Sequence, residues 1–209
     1  SLLDKPRLIS PLDFADAPDL HKTAQYLAQL AMASGERPHL VGYSMGGRLA
    51  LHVALVAPGA FASITSVSAH PGFNDEDEKR MRKADDKRWA LLLKEDWEKF
   101  WQQWNQRGVL ADSPIPALIP PTFSERQQWA NVLENWGTGL QEFLPPLLRN
   151  SATPMQTIVG SEDRAYRFHL KNFPENISQT VIEGAGHRVP LERPVELSAA
   201  LIRFAQENS

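Results

Sequence analysis

The 209 residues carry 22 basic and 25 acidic side chains for a net charge of -3, with no cysteine and 42% hydrophobic residues. That length supports one sizeable core, or a core with a small appended unit. The balance of charge offers no basic stripe for nucleic acid, the missing cysteine rules out disulfides, a thiol nucleophile and a thiolate metal site, and no apolar run approaches membrane-spanning length. The opening residues Ser1-Leu2-Leu3-Asp4-Lys5-Pro6 do not form a signal peptide, so a cytoplasmic protein is the expectation.

In chain order, Arg7 to Leu12 reads as a strand entering a turn at Asp13. Asp16 to Ser34 carries Leu20, Ala24, Leu27, Leu30 and Ala31 at helical spacing, and Gly35 ends that helix. Pro38 to Val41 reads as a short buried strand, and Arg48 to Leu55 as a helix that stops at Pro58-Gly59. Phe61 to Ser68 is a further strand, broken at His70-Pro71-Gly72. Alternating strands and helices argue a parallel sheet.

The pattern then changes, and from Asn74 to about Arg149 no convincing strand occurs. Asn74 is placed to cap a helix with Asp75-Glu76-Asp77-Glu78 in its first turn, where negative charge suits the helix dipole. A second helix carries Trp97, Phe100, Trp101 and Trp104. Pro114, Pro116, Pro120 and Pro121 make a loop, and a third helix starts near Ser124. All six tryptophans lie between positions 89 and 136; they serve either to pack these helices on the sheet or to line a pocket. The sheet pattern resumes with Met155 to Val159, a helix from about Tyr166 to Phe173, a strand over Ser178 to Ile182, and a last helix from Pro194 to Ala205.

The stretch Gly42-Tyr43-Ser44-Met45-Gly46 joins the strand at 38–41 to the following helix. A strand, a sharp glycine-flanked turn and a helix form the context of a nucleophile elbow. The glycines are expected because a Cβ beside the turn would collide with it, and the Met45 N–H, at the helix start, is aimed at charge developing beside Ser44. A serine is too weak an acid to lose its proton unaided; it needs an imidazole, and the imidazole needs a carboxylate to hold its tautomer. Asp163 and His187 each follow an expected strand end, on the edge where Ser44 lies. Glu162 is the rival for the acid.

With these residues in place, the chain resembles the α/β-hydrolase superfamily over nearly its whole length: a mostly parallel sheet with helices on both faces and a helical cap. The expected division is a core of residues 1–72 and 150–209 and a cap of 73–149. Gly42 to Arg48, His70-Pro71-Gly72, Arg82, the Arg88-Trp89 pair and Trp104 are similar to one branch, the menaquinone-pathway lyases that make 2-succinyl-6-hydroxy-2,4-cyclohexadiene-1-carboxylate. That resemblance implies proton removal and loss of pyruvate by a triad of Ser44, His187 and Asp163, with no cofactor and no metal. It implies a small carboxylate substrate held by Tyr43, Arg48, Arg82, Trp104 and His70, without nucleic acid or membrane partners. Guanidinium–carboxylate pairing explains the arginines.

Two departures stand out. An ungapped reading from Glu125 puts Glu134 where the family carries a third arginine. No His-Gly pair precedes Ser44, and Pro11-Leu12-Asp13-Phe14 stands where a glycine-rich turn is expected, so the strands before the elbow's strand look incomplete. A carboxylic-ester hydrolase with Ser44 as covalent nucleophile is the alternative function, and a non-catalytic binding protein on a truncated fold is the third.

Overall fold

The computed structural model describes residues 8, 9 and 19–209. The strand expected over 7–12 and the turn after it fall outside the described residues, apart from Leu8 and Ile9, which take no regular structure.

Helix α1 (Leu20–Ala33) starts at Asp19, whose carboxylate accepts the Lys22 N–H at 2.8 Å. This cap satisfies one of the N–H groups that a helix start leaves without a partner. Leu20, Ala24, Leu27 and Ala31 are buried as the spacing requires, whereas Leu30 is 47% exposed. At 3.6 residues per turn Leu30 lies about 60° around from Leu27, which takes it off the buried stripe.

Four strands follow: β1 (His39–Tyr43), β2 (Ser63–Val67), β3 (Met155–Gly160) and β4 (Ile177–Ile182). They form one parallel sheet in the order β1-β2-β3-β4, with Leu40 beside Ile64, Ile64 beside Met155 and Met155 beside Ile177. The central strands β2 and β3 are buried at every position, as befits a sheet covered on both faces. On one face Ile64, Met155 and Ile177 pack with α1 and with α2 (Met45–Val56). On the other, Val67, Ile158 and Ile182 pack under α8 (Val189–Glu192) and α9 (Pro194–Glu207). Helix α7 (Arg164–Leu170) links β3 to β4.

Between β2 and β3 the chain is helical: α3 (Glu76–Glu95), α4 (Trp97–Asn105), α5 (Phe123–Asn135), a 3₁₀ turn at Thr138–Leu140 and the short α6 (Pro145–Leu148). The cap of α3 is Asp75, not Asn74, and its carboxylate accepts the N–H groups of Asp77 and Glu78 at 2.9 Å. A carboxylate next to the positive helix end outweighs a neutral amide one residue earlier. Asp96 caps α4, and Thr122 forms a capping box with Glu125 at the start of α5. Trp89, Ala90, Leu93, Trp97, Phe100, Ala130 and Leu133 make a separate apolar cluster, which meets the core at Met45. The tryptophans divide between the two expected roles: Trp89, Trp97 and Trp136 are buried, while Trp101 and Trp104 line a cavity.

Candidate active site

Ser44 ends β1 and begins α2 with φ 50° and ψ -108°, a backbone conformation that residues with a Cβ rarely hold. Packing maintains it. The Ser44 N–H donates to Val67 O at 2.7 Å, and the Ser44 carbonyl accepts the Arg48 N–H at 3.1 Å. Gly42 is indispensable to the turn, since a Cβ there would lie 2.1 Å from Gly46 O. Gly46 is a correction to the motif reading: its Cβ position meets nothing within 4 Å, and it is the next residue, Gly47, whose Cβ would press on Ala69 at 2.8 Å. Helix α2 lies close along β1 and β2 through Gly47, whereas Gly46 turns away from the sheet.

In a parallel sheet all carboxyl ends fall on one edge, which brings the loops after β1, β3 and β4 together. Ser44 Oγ lies 3.2 Å from His187 Nε2, and His187 Nδ1 lies 2.7 Å from Asp163 Oδ2. Asp163 and His187 are each 4% exposed. The second oxygen of Asp163 takes the Tyr166 N–H at 3.4 Å. Glu162, the rival acid, instead accepts the Ser161 hydroxyl at 3.1 Å. The Tyr43 and Tyr166 rings pack near the imidazole, with ring centroids 5.8 and 4.5 Å from it. Burial raises the pKa of both phenols, so both are neutral.

A cavity of about 430 Å³ opens over Ser44 and His187. Tyr43, Met45, Arg48, His70, Arg82 and Trp104 all reach its lining, so every residue that the sequence singled out for the substrate borders one space. Arg48, one helical turn past Ser44, is a buried part of that lining. It is 5% exposed, and its Nη1 donates to Trp136 O at 2.6 Å and to Gln141 Oε1 at 3.2 Å. Both acceptors are neutral, and among the described residues no carboxylate pairs with Arg48. Burial, then the charge of Arg82, pushes its pKa down to about 10, which leaves it cationic at neutral pH. Arg82 combines an ion pair with a place in the lining. Its Nε pairs with Asp86 Oδ1 at 2.7 Å, and its side chain, 24% exposed, also lines the cavity.

His70 is neutral. Burial, then the neighbouring His169, Arg82 and Arg48, pushes its pKa down to about 2. Its Nδ1 accepts the Gly72 N–H at 3.0 Å, which assigns the remaining proton to Nε2.

Sequence reasoning missed Arg107. It lies just past α4 and also lines the cavity, with its guanidinium 4.3 Å from the Trp104 ring centroid and 3.8 Å from Asp85. The loop after α4, not α5, therefore adds a guanidinium to those of Arg48 and Arg82, and Arg188, beside His187, also lines the cavity. Glu134, expected to confront an anionic substrate, is absent from the lining and pairs with Lys94 at 3.9 Å. Arg107 lies past the end of α4, three residues after Trp104, and no short motif marked it. Among the described residues no cluster of three or more His, Asp or Glu side chains is placed to hold a metal ion, and no helix is long and apolar enough to cross a membrane.

A model described as the alpha/beta hydrolase family matches residues 6–200. The chain is 29% identical over 188 residues to the 2-succinyl-6-hydroxy-2,4-cyclohexadiene-1-carboxylate synthase of Serratia proteamaculans (strain 568), covering 87% of this chain and 73% of that protein. It is 28% identical to the synthase of the same name from Enterobacter sp. (strain 638), covering 79% of this chain and 65% of the relative's length. Among solved structures it is similar to MenH from S. aureus, with a TM-score of 0.80 at 21% identity over 91% of this chain and 76% of that one. It is also similar to a thermophilic esterase from Thermogutta terrifontis, with a TM-score of 0.69 at 18% identity over 91% of this chain and 74% of that one.

Proposed function

The chain belongs to the alpha/beta hydrolase family, and on that premise we propose that it is a lyase of menaquinone biosynthesis, eliminating pyruvate from a carboxylated cyclohexene through Ser44, His187 and Asp163. The helical stretch 73–149 is read as a cap over a core of 1–72 and 150–209. The observation that carries the lyase reading is the set of arginines that line the cavity over Ser44, Arg48, Arg82 and Arg107 together with Arg188. Among the described residues Arg48 is held there by neutral acceptors, so its charge is available to a ligand anion. The two synthases named above make a succinyl-cyclohexadiene carboxylate by their printed name, which supports a substrate with carboxylates.

In this reading His187, held by Asp163 in the tautomer with Nε2 free, takes the Ser44 proton across the 3.2 Å contact. The serine oxygen, made basic, removes a carbon-bound proton from the substrate. The electron pair of that C–H bond forms a carbon–carbon double bond of the ring. The C–O bond to the enolpyruvyl group breaks, and the leaving enolate takes up a proton to become pyruvate. Ser44 forms no covalent intermediate. The Met45 N–H, first on α2 and without an intrahelical acceptor, faces the enolate-like charge that develops. The arginines fix the carboxylates, and neutral His70 with Trp104 walls the ring.

An ester hydrolase would use the same three residues with Ser44 as nucleophile, but it has less use for several cations around neutral substrates. The test mixes the protein with the succinyl-cyclohexene enolpyruvyl substrate and follows pyruvate with a coupled dehydrogenase. Pyruvate release that disappears in Ser44→Ala supports the lyase. Background pyruvate beside brisk hydrolysis of a short-chain ester assigns the chain to the esterases.

A further inference from the structure

His187 is bracketed by two backbone N–H groups that end on one carboxylate. The Gly186 N–H donates to Glu192 Oε2 at 2.5 Å, and the Arg188 N–H donates to Glu192 Oε1 at 3.0 Å. The Ser113 hydroxyl also donates to Oε1, at 2.7 Å. These groups are tightly packed, since a Cβ on Gly186 would stand 3.1 Å from both Glu192 Oε2 and Ser113 Oγ. Ser113 is 8% exposed and lies in the stretch between α4 and α5. Arg188, 6% exposed, donates from its guanidinium to Pro114 O at 3.1 Å in the same stretch and to Asn105 Oδ1 at the end of α4.

The histidine loop has no strand or helix of its own between β4 and α8. Its N–H groups beside His187 need an acceptor, and a carboxylate with two oxygens serves both at once while its charge strengthens each bond. We infer that Glu192 is a positioning residue for His187: one carboxylate clamps the backbone on either side of the imidazole and ties it, through Ser113, to the helices between β2 and β3. The inference rests on the reading of His187 as the base for Ser44. The clamp decides whether the imidazole stays within reach of Ser44 Oγ, because a contact of 3.2 Å is lost by a shift of the loop of well under a bond length.

Glu192→Gln keeps size and shape but offers a single acceptor oxygen. In either orientation of the amide, its NH₂ group faces a backbone N–H, so one half of the clamp opens. The experiment measures two quantities on the purified chain: the rate at which a fluorophosphonate labels Ser44, and the low-field proton resonance of His187 Nδ1. Glu192→Gln is expected to slow labelling by on the order of tenfold to a hundredfold, the size of a lost buried acceptor acting on the reactive geometry, and to shift or broaden the Nδ1 resonance. Ser113→Ala, which removes only the hydroxyl, is expected to give a several-fold slowing of the same kind. A folded Glu192→Gln that labels within about twofold of the unsubstituted chain, an effect no larger than that of a surface substitution, and that keeps the resonance, overturns the inference. If that variant does not fold, Ser113→Ala with unchanged rate and resonance overturns it. If Ser44 fails to label even in the unsubstituted chain, the catalytic reading of Ser44 is what fails, and the Nδ1 resonance alone still decides the role of Glu192.

Discussion

Asp163 Oδ2 lies 2.7 Å from His187 Nδ1, with the two side chains only 1% and 4% exposed. A bond so sheltered from water controls which imidazole nitrogen carries the proton. Asp163→Asn keeps the volume but presents an amide that favours the wrong tautomer, so turnover is expected to fall by on the order of a thousandfold or more with little change in KM. The measurement is kcat and KM for pyruvate release, or for ester hydrolysis if that is the activity found. A loss below about tenfold would reassign the acid, with Glu162 the first residue to replace next.

Arg107→Ala and Glu134→Ala form a matched pair. Arg107 lines the cavity, whereas Glu134 is 42% exposed and pairs weakly with Lys94. Removing the cation is expected to raise KM for the anionic substrate by roughly tenfold or more, the size of a lost charge-assisted hydrogen bond. Removing Glu134 should leave both constants within about twofold, since exposed pairs contribute little. The reverse result would return the third carboxylate contact to α5.

Gly42→Ala and Gly46→Ala separate the two glycines of the elbow. The first forces a Cβ to within 2.1 Å of Gly46 O, while the second adds a methyl group in open space. Thermal unfolding of Gly42→Ala is expected to show a loss of more than about 3 kcal/mol, or no folded protein, the usual result of strain at a turn without room. Gly46→Ala should match the unsubstituted chain or gain slightly, up to about 1 kcal/mol, from the better helix former in the first turn of α2.

Stability is expected to fall as pH drops from 6.5 towards 4. Burial, then the Arg48 charge, lowers the pKa of His52 from 6.5 to about 4, and His70 is lowered to about 2. Over that window the unfolded chain binds protons at both positions and the native chain does not, so unfolding becomes more favourable as pH falls. The loss from His52 is complete below its native pKa, and that from His70 continues to more acid pH. His52 is 7% exposed and its Nε2 has no hydrogen-bond partner among the described residues. His52→Leu should therefore fold well and show a shallower decline of the urea midpoint between about pH 7 and about pH 5. An unchanged slope would mean that His52 is protonated in the native state.

Local pattern was enough for the catalytic candidates. Glycines around Ser44, apolar runs before Gly160 and Gly184, and helical spacing after each turn identify three strand ends, and parallel pairing then obliges Ser44, Asp163 and His187 to share one edge. The alternation that reveals this is short-range, and a one-residue error in a strand boundary does not move the loop to the other end of the sheet.

What tertiary structure alone decided is which side chains meet across elements that are far apart in sequence. Arg107 and Glu134 differ in setting because the turn after α4 closes on the cavity over Ser44 while Glu134, on α5, faces Lys94 away from it, and no propensity encodes that placement. Gly47, not Gly46, is the tight glycine because α2 rests on Ala69. Glu192 takes up both N–H groups beside His187 only once α8 has folded back under the loop, and Ser113 joins it across 79 positions. A pattern of periods 2 and 3.6 places residues on faces, but pairings at such separation follow from packing, which a single sequence states nowhere in its local order.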